Sequence, residues 1–402
     1  MINRPHYLAQ LRQFRDQPLI KVITGIRRSG KSSLLELYRN ELLNNGVLET
    51  QIQSYNFEDL LFSSLLDPQA LYTHITQRLI PNVKNYLFLD EIQNVPHFQK
   101  AVDSLYIQPH VDLYITGSNA YMLSGELATL LSGRYVEIMV LPLSFSEYLS
   151  FHPELTNPDR AFNTYVSGSA FPFAATLTND SQALRAYLDG LYKSVVLKDV
   201  LQRHRIDQPM MLESVIRFVF EHIGSPLSPY KIANTMTSFG RKISTPTVES
   251  YLNALTNSFI LYRAKRFDVK GKQVLKTNDK YYVADIGLRT YLLGQHPHDQ
   301  GHILENLVYL ELLRRGYDVF VGKAGDYEVD FVAQKGSEQH YFQVALTLRD
   351  PEVLNRELRS LKTINDSYPK TIITRDVDPL TNSDGIRIIN LVDFLLETTL
   401  KA

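Results

Sequence analysis

The 402 residues contain no cysteine, which excludes disulfides and thiolate metal sites and is compatible with a reducing compartment. They also lack any stretch approaching the ~18 uninterrupted apolar residues of a membrane span. The N-terminal run MINRPHYLAQLRQFRDQ is broken by Arg4, Arg12, Arg15 and Asp16, so it lacks the apolar core of a signal peptide. Charge of neither sign is in excess. With 42 basic against 43 acidic residues the formal net charge is -1, and any surface for a polyanion has to be local. What is there is globular: 44% hydrophobic and 21% charged residues, over a length sufficient for two or three domains. A soluble cytoplasmic protein is the expectation.

Residues 23–38, ITGIRRSGKSSLLELY, contain GxxxxGKS from Gly25 to Ser32. The apolar run Leu19–Ile23 reads as a buried strand, and Ser33–Tyr38 has helical periodicity. A glycine loop between strand and helix is the order that phosphate binding requires. Gly25 and Gly30 let successive N–H groups and the positive helix end converge on phosphate oxygens. Gly25, Ile26, Arg27, Arg28, Ser29, Gly30, Lys31, Ser32 and Ser33 therefore form the candidate nucleotide cradle. In it Lys31 reaches the β- and γ-phosphates and the Ser32 hydroxyl ligates Mg²⁺.

A second apolar run, Tyr86–Leu89, ends in Asp90 and Glu91. Too hydrophobic to be half-exposed, it reads as a central parallel strand. Asp90 then holds Mg²⁺ through water, and Glu91 polarises the attacking water. The strand expected over Val111–Thr116 stops at Gly117-Ser118-Asn119. There either Ser118 or Asn119 is placed to hydrogen-bond the γ-phosphate or the lytic water, and a helix N-cap made by Ser118 accounts equally well for the residue. A helix is expected over 120–131. Arg134 follows Gly133 at the start of a strand expected over 136–141, a position suited to an arginine finger or to a surface ion pair.

Together GIRRSGKSSLL, YLFLDEIQNV, DLYITGSNAYML and LSGRYVEIMVLPLSFSEYL resemble a large prokaryotic family of AAA-type ATPases. In that family the ATPase core precedes a winged-helix segment and a C-terminal domain similar to PD-(D/E)xK restriction endonucleases. The resemblance covers nearly the whole chain and implies an α/β fold in four parts: a P-loop ATPase core over 1–150, a helical lid over 151–210, a winged helix over 211–290 and a small α/β endonuclease-like domain over 300–402. It implies ATP and Mg²⁺ as cofactors, with Lys31, Ser32, Asp90 and Glu91 carrying hydrolysis and Ser118 or Asn119 at the sensor position. Arg134 matches the arginine that such ATPases present to a neighbour's nucleotide, which implies a ring-like homo-oligomer.

Within the expected lid, Tyr165–Pro172 reads YVSGSAFP where the family usually has paired glycines before the proline. Three helical stretches (212–223, 228–238, 246–258) and strand residues 259–262 and 280–283 follow in the order of a winged helix, with Thr245-Pro246 supplying the cap and first-turn proline of the third helix. Between the strands lies RAKRFDVKGKQVLKTNDK. Its seven basic residues, Arg263, Lys265, Arg266, Lys270, Lys272, Lys276 and Lys280, face only Asp268 and Asp279, a local charge near +5. This is the clearest footprint for a DNA backbone; a solvated hairpin and a protein-binding surface are the alternatives. The third helix carries Glu249 and almost no basic side chain, which argues against strong base readout.

In a nuclease of the resembled type an early glutamate, an aspartate on the first hairpin strand and an ExK on the second gather Mg²⁺. Glu305 and Asp330 match the first two positions, whereas Gln343 and Ala345 stand where the acid and the lysine belong. The site reads as degenerate. Glu305, Asp330 and Gln343 are left for folding or residual metal binding, and Lys335 or Arg349 are the candidates to replace the lysine. The reading is an oligomeric, Mg²⁺-dependent ATPase acting on DNA; a nucleotide-driven switch or protein-remodelling ATPase is the alternative, and an ATP-dependent nuclease a minor one.

Overall fold

The apolar runs of the first 140 residues become β1 (Ile20–Thr24), β2 (Ile52–Asn56), β3 (Asn85–Asp90), β4 (Val111–Thr116) and β5 (Tyr135–Met139) in the computed structural model. It describes residues 2–120, 133–204, 206–275, 278–295 and 299–397. The helix expected over 120–131 and Lys276 lie outside the described residues, apart from residue 120. The five strands pair in parallel in the order β2-β3-β4-β1-β5.

Side chains alternate along a strand, so Tyr86 and Phe88 of β3 turn to one face and Leu87 and Leu89 to the other. The first pair packs with Tyr7, Leu11, Leu34 and Tyr38 from α1 (Pro5–Gln13) and α2 (Lys31–Asn44). The second packs with Leu71, Ile75, Val102 and Leu105 from α3 (Pro68–Thr76) and α4 (Phe98–Tyr106). Covered on both faces, β3 is buried along its length, and this is why its sequence is apolar without alternation. In an open parallel sheet of this kind, ligands sit outside the carboxyl ends of the strands.

The chain divides into two compact units, residues 1–142 with 257–259, and residues 143–256 with 260–402. In the second unit the helices Phe145–Phe151, Pro158–Ser167 and Ser181–Leu191 lead into a π-helical turn, Tyr192–Asp199. Three more helices, Pro209–Glu221, Pro229–Ser238 and Thr245–Asn257, precede an antiparallel pair of β6 (Leu261–Ala264) and β9 (Lys280–Val283). The turn read as YVSGSAFP is gripped by Asp285, whose carboxylate accepts from the N–H of Ala170 (2.7 Å) and of Leu288 (2.6 Å). Gly287 makes this approach possible, because a Cβ there would lie 2.0 Å from the Gly168 carbonyl oxygen.

The C-terminal part runs helix Gln300–Arg314, β10 (Asp318–Ala324), β11 (Tyr327–Lys335), β12 (Glu338–Ala345), helix Pro351–Lys362 and β13 (Lys370–Thr374), then β14 (Asn382–Ser383) and β15 (Ile386–Asn390). β10, β11 and β12 form an antiparallel meander, and β13 joins β12 in parallel. The basic segment is not the solvated hairpin that was one alternative for it. Its residues Arg266–Asp268 (β7) pair in parallel with β10, and Gln273–Val274 (β8) pair with β7, so both extend the C-terminal sheet. Phe267 and Val269, alternate apolar residues within a charged run, are buried in that sheet's core and draw the segment in. No helix among the described residues is long and apolar enough to cross a membrane.

Candidate functional site

The loop after β1 turns at Gly25 with φ 137°, where a Cβ would meet the Val140 carbonyl oxygen at 2.2 Å. At its far end Gly30, left-handed with φ 96°, is the N-cap of α2. Both positions require glycine. Lys31 opens α2 and is buried. Its Nζ donates to the carbonyls of Gly25 (3.1 Å) and Ile26 (3.3 Å) and lies 3.6 Å from Glu91 Oε1. Ser32 and Ser33 occupy the first helical turn, and the Ser32 hydroxyl bonds the Asp90 carboxylate. Arg27 pairs with Glu58, and Arg28 is exposed in a left-handed conformation. The Ser29 hydroxyl is buried without a partner among the described residues, a polar atom suited to a ligand in the loop.

A residue that sequence reasoning missed braces this loop from behind. Arg4 is buried and donates to the Ser29 carbonyl (3.0 Å) and the Leu141 carbonyl (2.8 Å), with its guanidinium over the Tyr7 ring. The Tyr7 hydroxyl accepts from the N–H of Leu141 at 3.0 Å.

The two acids stand at the carboxyl end of β3, beside the end of β4. Thr116, the last residue of β4, donates its hydroxyl hydrogen to Asp90 Oδ1 (2.5 Å), and the Thr116 oxygen accepts from the Glu91 N–H (2.9 Å). Sequence reasoning passed over Thr116 in favour of the two residues beyond it. Of those, Ser118 is buried and donates to Glu91 Oε2 at 3.2 Å, while Asn119 is half-buried. Glu91 leaves the strand in a left-handed conformation, φ 50°, and Gln93 also donates to its carboxylate. Burial pushes the Asp90 carboxyl above its ordinary range, aided by the adjacent Glu91 and opposed by Thr116, Ser32 and Lys31. A buried carboxylate beside a hydroxyl offers hard oxygen donors, so Ser32 and Asp90 fit Mg²⁺.

Arg134 lies elsewhere. It precedes β5, whose first residue pairs with Ile20 at the amino end of β1, so roughly 16 Å of strand separates it from the loop at the carboxyl end. Its guanidinium pairs with Asp103 (2.7 Å) and covers the Tyr106 ring. It does not reach the nucleotide loop of its own chain.

The basic footprint is smaller than its count. Arg263 pairs with Asp279 at 2.5 Å, and Arg266 is half-buried 3.9 Å from Glu328. Lys265, Lys270 and Lys272 are exposed. Lys280 turns inward: it is buried, with its Nζ 2.9 Å from Glu305 Oε1, 2.8 Å from Glu328 Oε1 and 4.0 Å from Asp330 Oδ1.

Glu305, Asp330 and Gln343 do meet, in the wall of a pocket of about 490 Å³. Gln343 accepts from the Asp330 N–H (2.6 Å) and donates to Glu357 (2.7 Å). The lysine that arrives is neither expected candidate: Lys335 donates to the Arg315 carbonyl, and Arg349 lies 3.5 Å from Asp376. Burial, reinforced by Glu305, pushes the Asp330 carboxyl up to about 8. Although burial opposes both shifts, Lys280 is held above its ordinary range by the three acids, and Glu305 below its own chiefly by Lys280. Among the described residues no group of three or more His, Cys, Asp or Glu is arranged to hold a metal ion.

Compared with known proteins, residues 17–149 match a family model described as an AAA domain, and residues 159–299 match a domain of unknown function. An uncharacterized protein of Haemophilus influenzae is 42% identical over 402 residues, covering 99% of each chain. An uncharacterized protein of Methanocaldococcus jannaschii is 30% identical over 93% of this chain and 87% of its own. Among solved structures, a Walker-type ATPase of Pyrococcus abyssi has a TM-score of 0.51 at 15% identity, over 73% of this chain and 96% of that one. That likeness is one of fold.

Proposed function

This chain belongs to the family of its Haemophilus and Methanocaldococcus relatives and carries an AAA-type P-loop ATPase domain; from that premise we propose that it is an oligomeric, Mg²⁺-dependent ATPase that acts on DNA. The observation that carries the ATPase reading is the Thr116 hydroxyl, which ties Asp90 to the backbone of Glu91 opposite Lys31 and Ser32.

The N–H groups of the Gly25–Ser33 loop and the Lys31 ammonium bind the β- and γ-phosphates of ATP. Ser32 and Asp90 hold Mg²⁺, which when bound neutralises phosphate charge and orients the nucleotide. Glu91 orients the attacking water and takes its proton as the γ-phosphoryl group passes from ADP to the water oxygen. Ser118 fixes one oxygen of that carboxylate. Lys31 and Glu91 are 3.6 Å apart, so phosphate binding and water activation are contiguous.

DNA contact rests on the exposed cations Arg263, Lys265, Lys270 and Lys272 along β6 to β8. The test is ATP turnover and binding of the full chain with duplex, single-stranded and four-way DNA over a salt series. Affinity falls as salt rises from ~50 to ~200 mM, and replacing Lys265, Lys270 and Lys272 by Glu lowers the log–log salt slope by about 3. No binding and no stimulation by any DNA at ~50 mM salt removes DNA and leaves the ATPase. A protein partner is the second reading, favoured by Tyr230 and Phe239, which are 66% and 74% exposed at the two ends of helix Pro229–Ser238. In that reading DNA leaves turnover unchanged.

A further inference from the structure

We propose that Lys280 is a built-in cation: its ammonium stands where a nuclease-like acid cluster holds a divalent metal, so the pocket of Glu305, Glu328 and Asp330 neither needs nor binds one. The first ground is register. β9 lies along helix Gln300–Arg314, where the Asn306 side chain makes both bonds a neighbouring strand would make, accepting from the Val283 N–H (2.8 Å) and donating to the Val283 carbonyl (3.0 Å). One residue earlier, the Tyr282 hydroxyl donates to Glu305 Oε1 (2.6 Å) and its ring stacks on Tyr309 at 4.2 Å. With positions 282 and 283 held on the helix, the backbone of Lys280 is held too, and its ammonium meets Glu305 and Glu328 as part of the fold.

The second ground is occupancy. Hard divalent cations sit about 2.0–2.6 Å from carboxylate oxygens, and the Lys280 Nζ already approaches Glu305 and Glu328 at 2.9 and 2.8 Å. Two cations sharing those oxygens would repel at close range. Two further donors are engaged as well. Asp330 Oδ2 accepts from the Val344 N–H (2.8 Å), and the Gln343 carbonyl oxygen accepts from the Asp330 N–H. Gln343 also lacks the charge that a carboxylate would bring. The pocket therefore works as an electrostatic joint between β9 and the C-terminal sheet. Without Lys280 its carboxylates lose their counter-ion, and a divalent cation is the natural substitute.

The test titrates Mn²⁺ into the full-length protein, reading bound metal by EPR and the melting temperature by circular dichroism. In wild type, millimolar Mn²⁺ gives the same binding isotherm as in Glu305→Gln. Lys280→Met melts lower, gains one Mn²⁺ per chain, and recovers roughly 3–5 °C with saturating metal. That gain disappears in Lys280→Met/Glu305→Gln, and Lys280→Arg shows none of it. A wild-type Mn²⁺ site that Glu305→Gln abolishes overturns the proposal, as does a folded Lys280→Met that ignores Mn²⁺. Should Lys280→Met fail to fold, the wild-type and Glu305→Gln isotherms decide alone: identical curves support the built-in cation, and a lost site rejects it.

Discussion

A single hydroxyl, that of Thr116, contacts both acids of the nucleotide site, so its removal separates positioning from binding. Thr116→Val keeps the shape and deletes both hydrogen bonds. Turnover of ATP is expected to fall about tenfold, with nucleotide affinity unchanged within about threefold; wild-type turnover would show that the acids hold their places without it. Lys31→Ala and Glu91→Gln divide the work differently. The first removes charge from the phosphates and weakens binding, whereas the second leaves binding intact and lowers the single-turnover rate by about 100-fold or more. Equal loss of nucleotide affinity in both would show that Glu91 is not the base. Lys31, Asp90 and Glu91 were legible because each sits in a contiguous motif. Arg4 was not, since its partners Ser29 and Leu141 lie 25 and 137 positions away.

Among the elements, the turn before Pro172 is held to the start of helix Ile286–Leu293 by one buried carboxylate. Burial raises the Asp285 carboxyl to about 6, although the N–H groups of Ala170 and Leu288 pull it down. An unfolded aspartate titrates near 3.9. The folded state therefore binds the proton more tightly, and the stabilisation from this group is complete below about pH 4 and lost as pH rises through about 6, roughly 3 kcal/mol in all. Asp285→Asn should abolish that component: urea unfolding of wild type at pH 4.5 and 7 should differ more than that of the variant. Equal differences would place the titration elsewhere. The close approach of the two segments depends on Gly287, where a Cβ would lie 2.0 Å from the Gly168 carbonyl oxygen. The β7 and β8 strands show the converse case, where counting charges over 263–280 hid the alternation of Phe267 and Val269 that seats the segment in a sheet.

At the scale of the whole molecule the question is whether subunits complete each other. Arg134 stands at the amino end of β1, remote from its own loop, so a role in hydrolysis requires a second copy. As a finger acting in trans, Arg134→Ala binds ATP normally and turns it over slowly, because charge on the γ-phosphoryl group lacks its partner in the transition state. Mixing it with Glu91→Gln then restores part of the activity, since an intact Glu91 and an intact Arg134 meet at one boundary. The Asp103 ion pair alone predicts near-normal turnover, as exposed pairs contribute only ~0–1 kcal/mol. Undiminished turnover on dilution to a monomer would remove the finger and the ring-like assembly together.

Sequence alone determined the nucleotide loop, the acidic strand end and the strands around them, because phosphate binding and strand burial are written in contiguous residues with short-range periods. It also showed that position 345 brings no charge, since alanine carries none in any fold. Tertiary structure decided what long-range pairing controls. It put Thr116 between the acids, Arg4 behind the loop, β7 and β8 on the C-terminal sheet, and Lys280 among three acidic side chains. A lysine in a basic run looks like surface until the fold shows which charges it meets, and 25 residues separate Lys280 from Glu305.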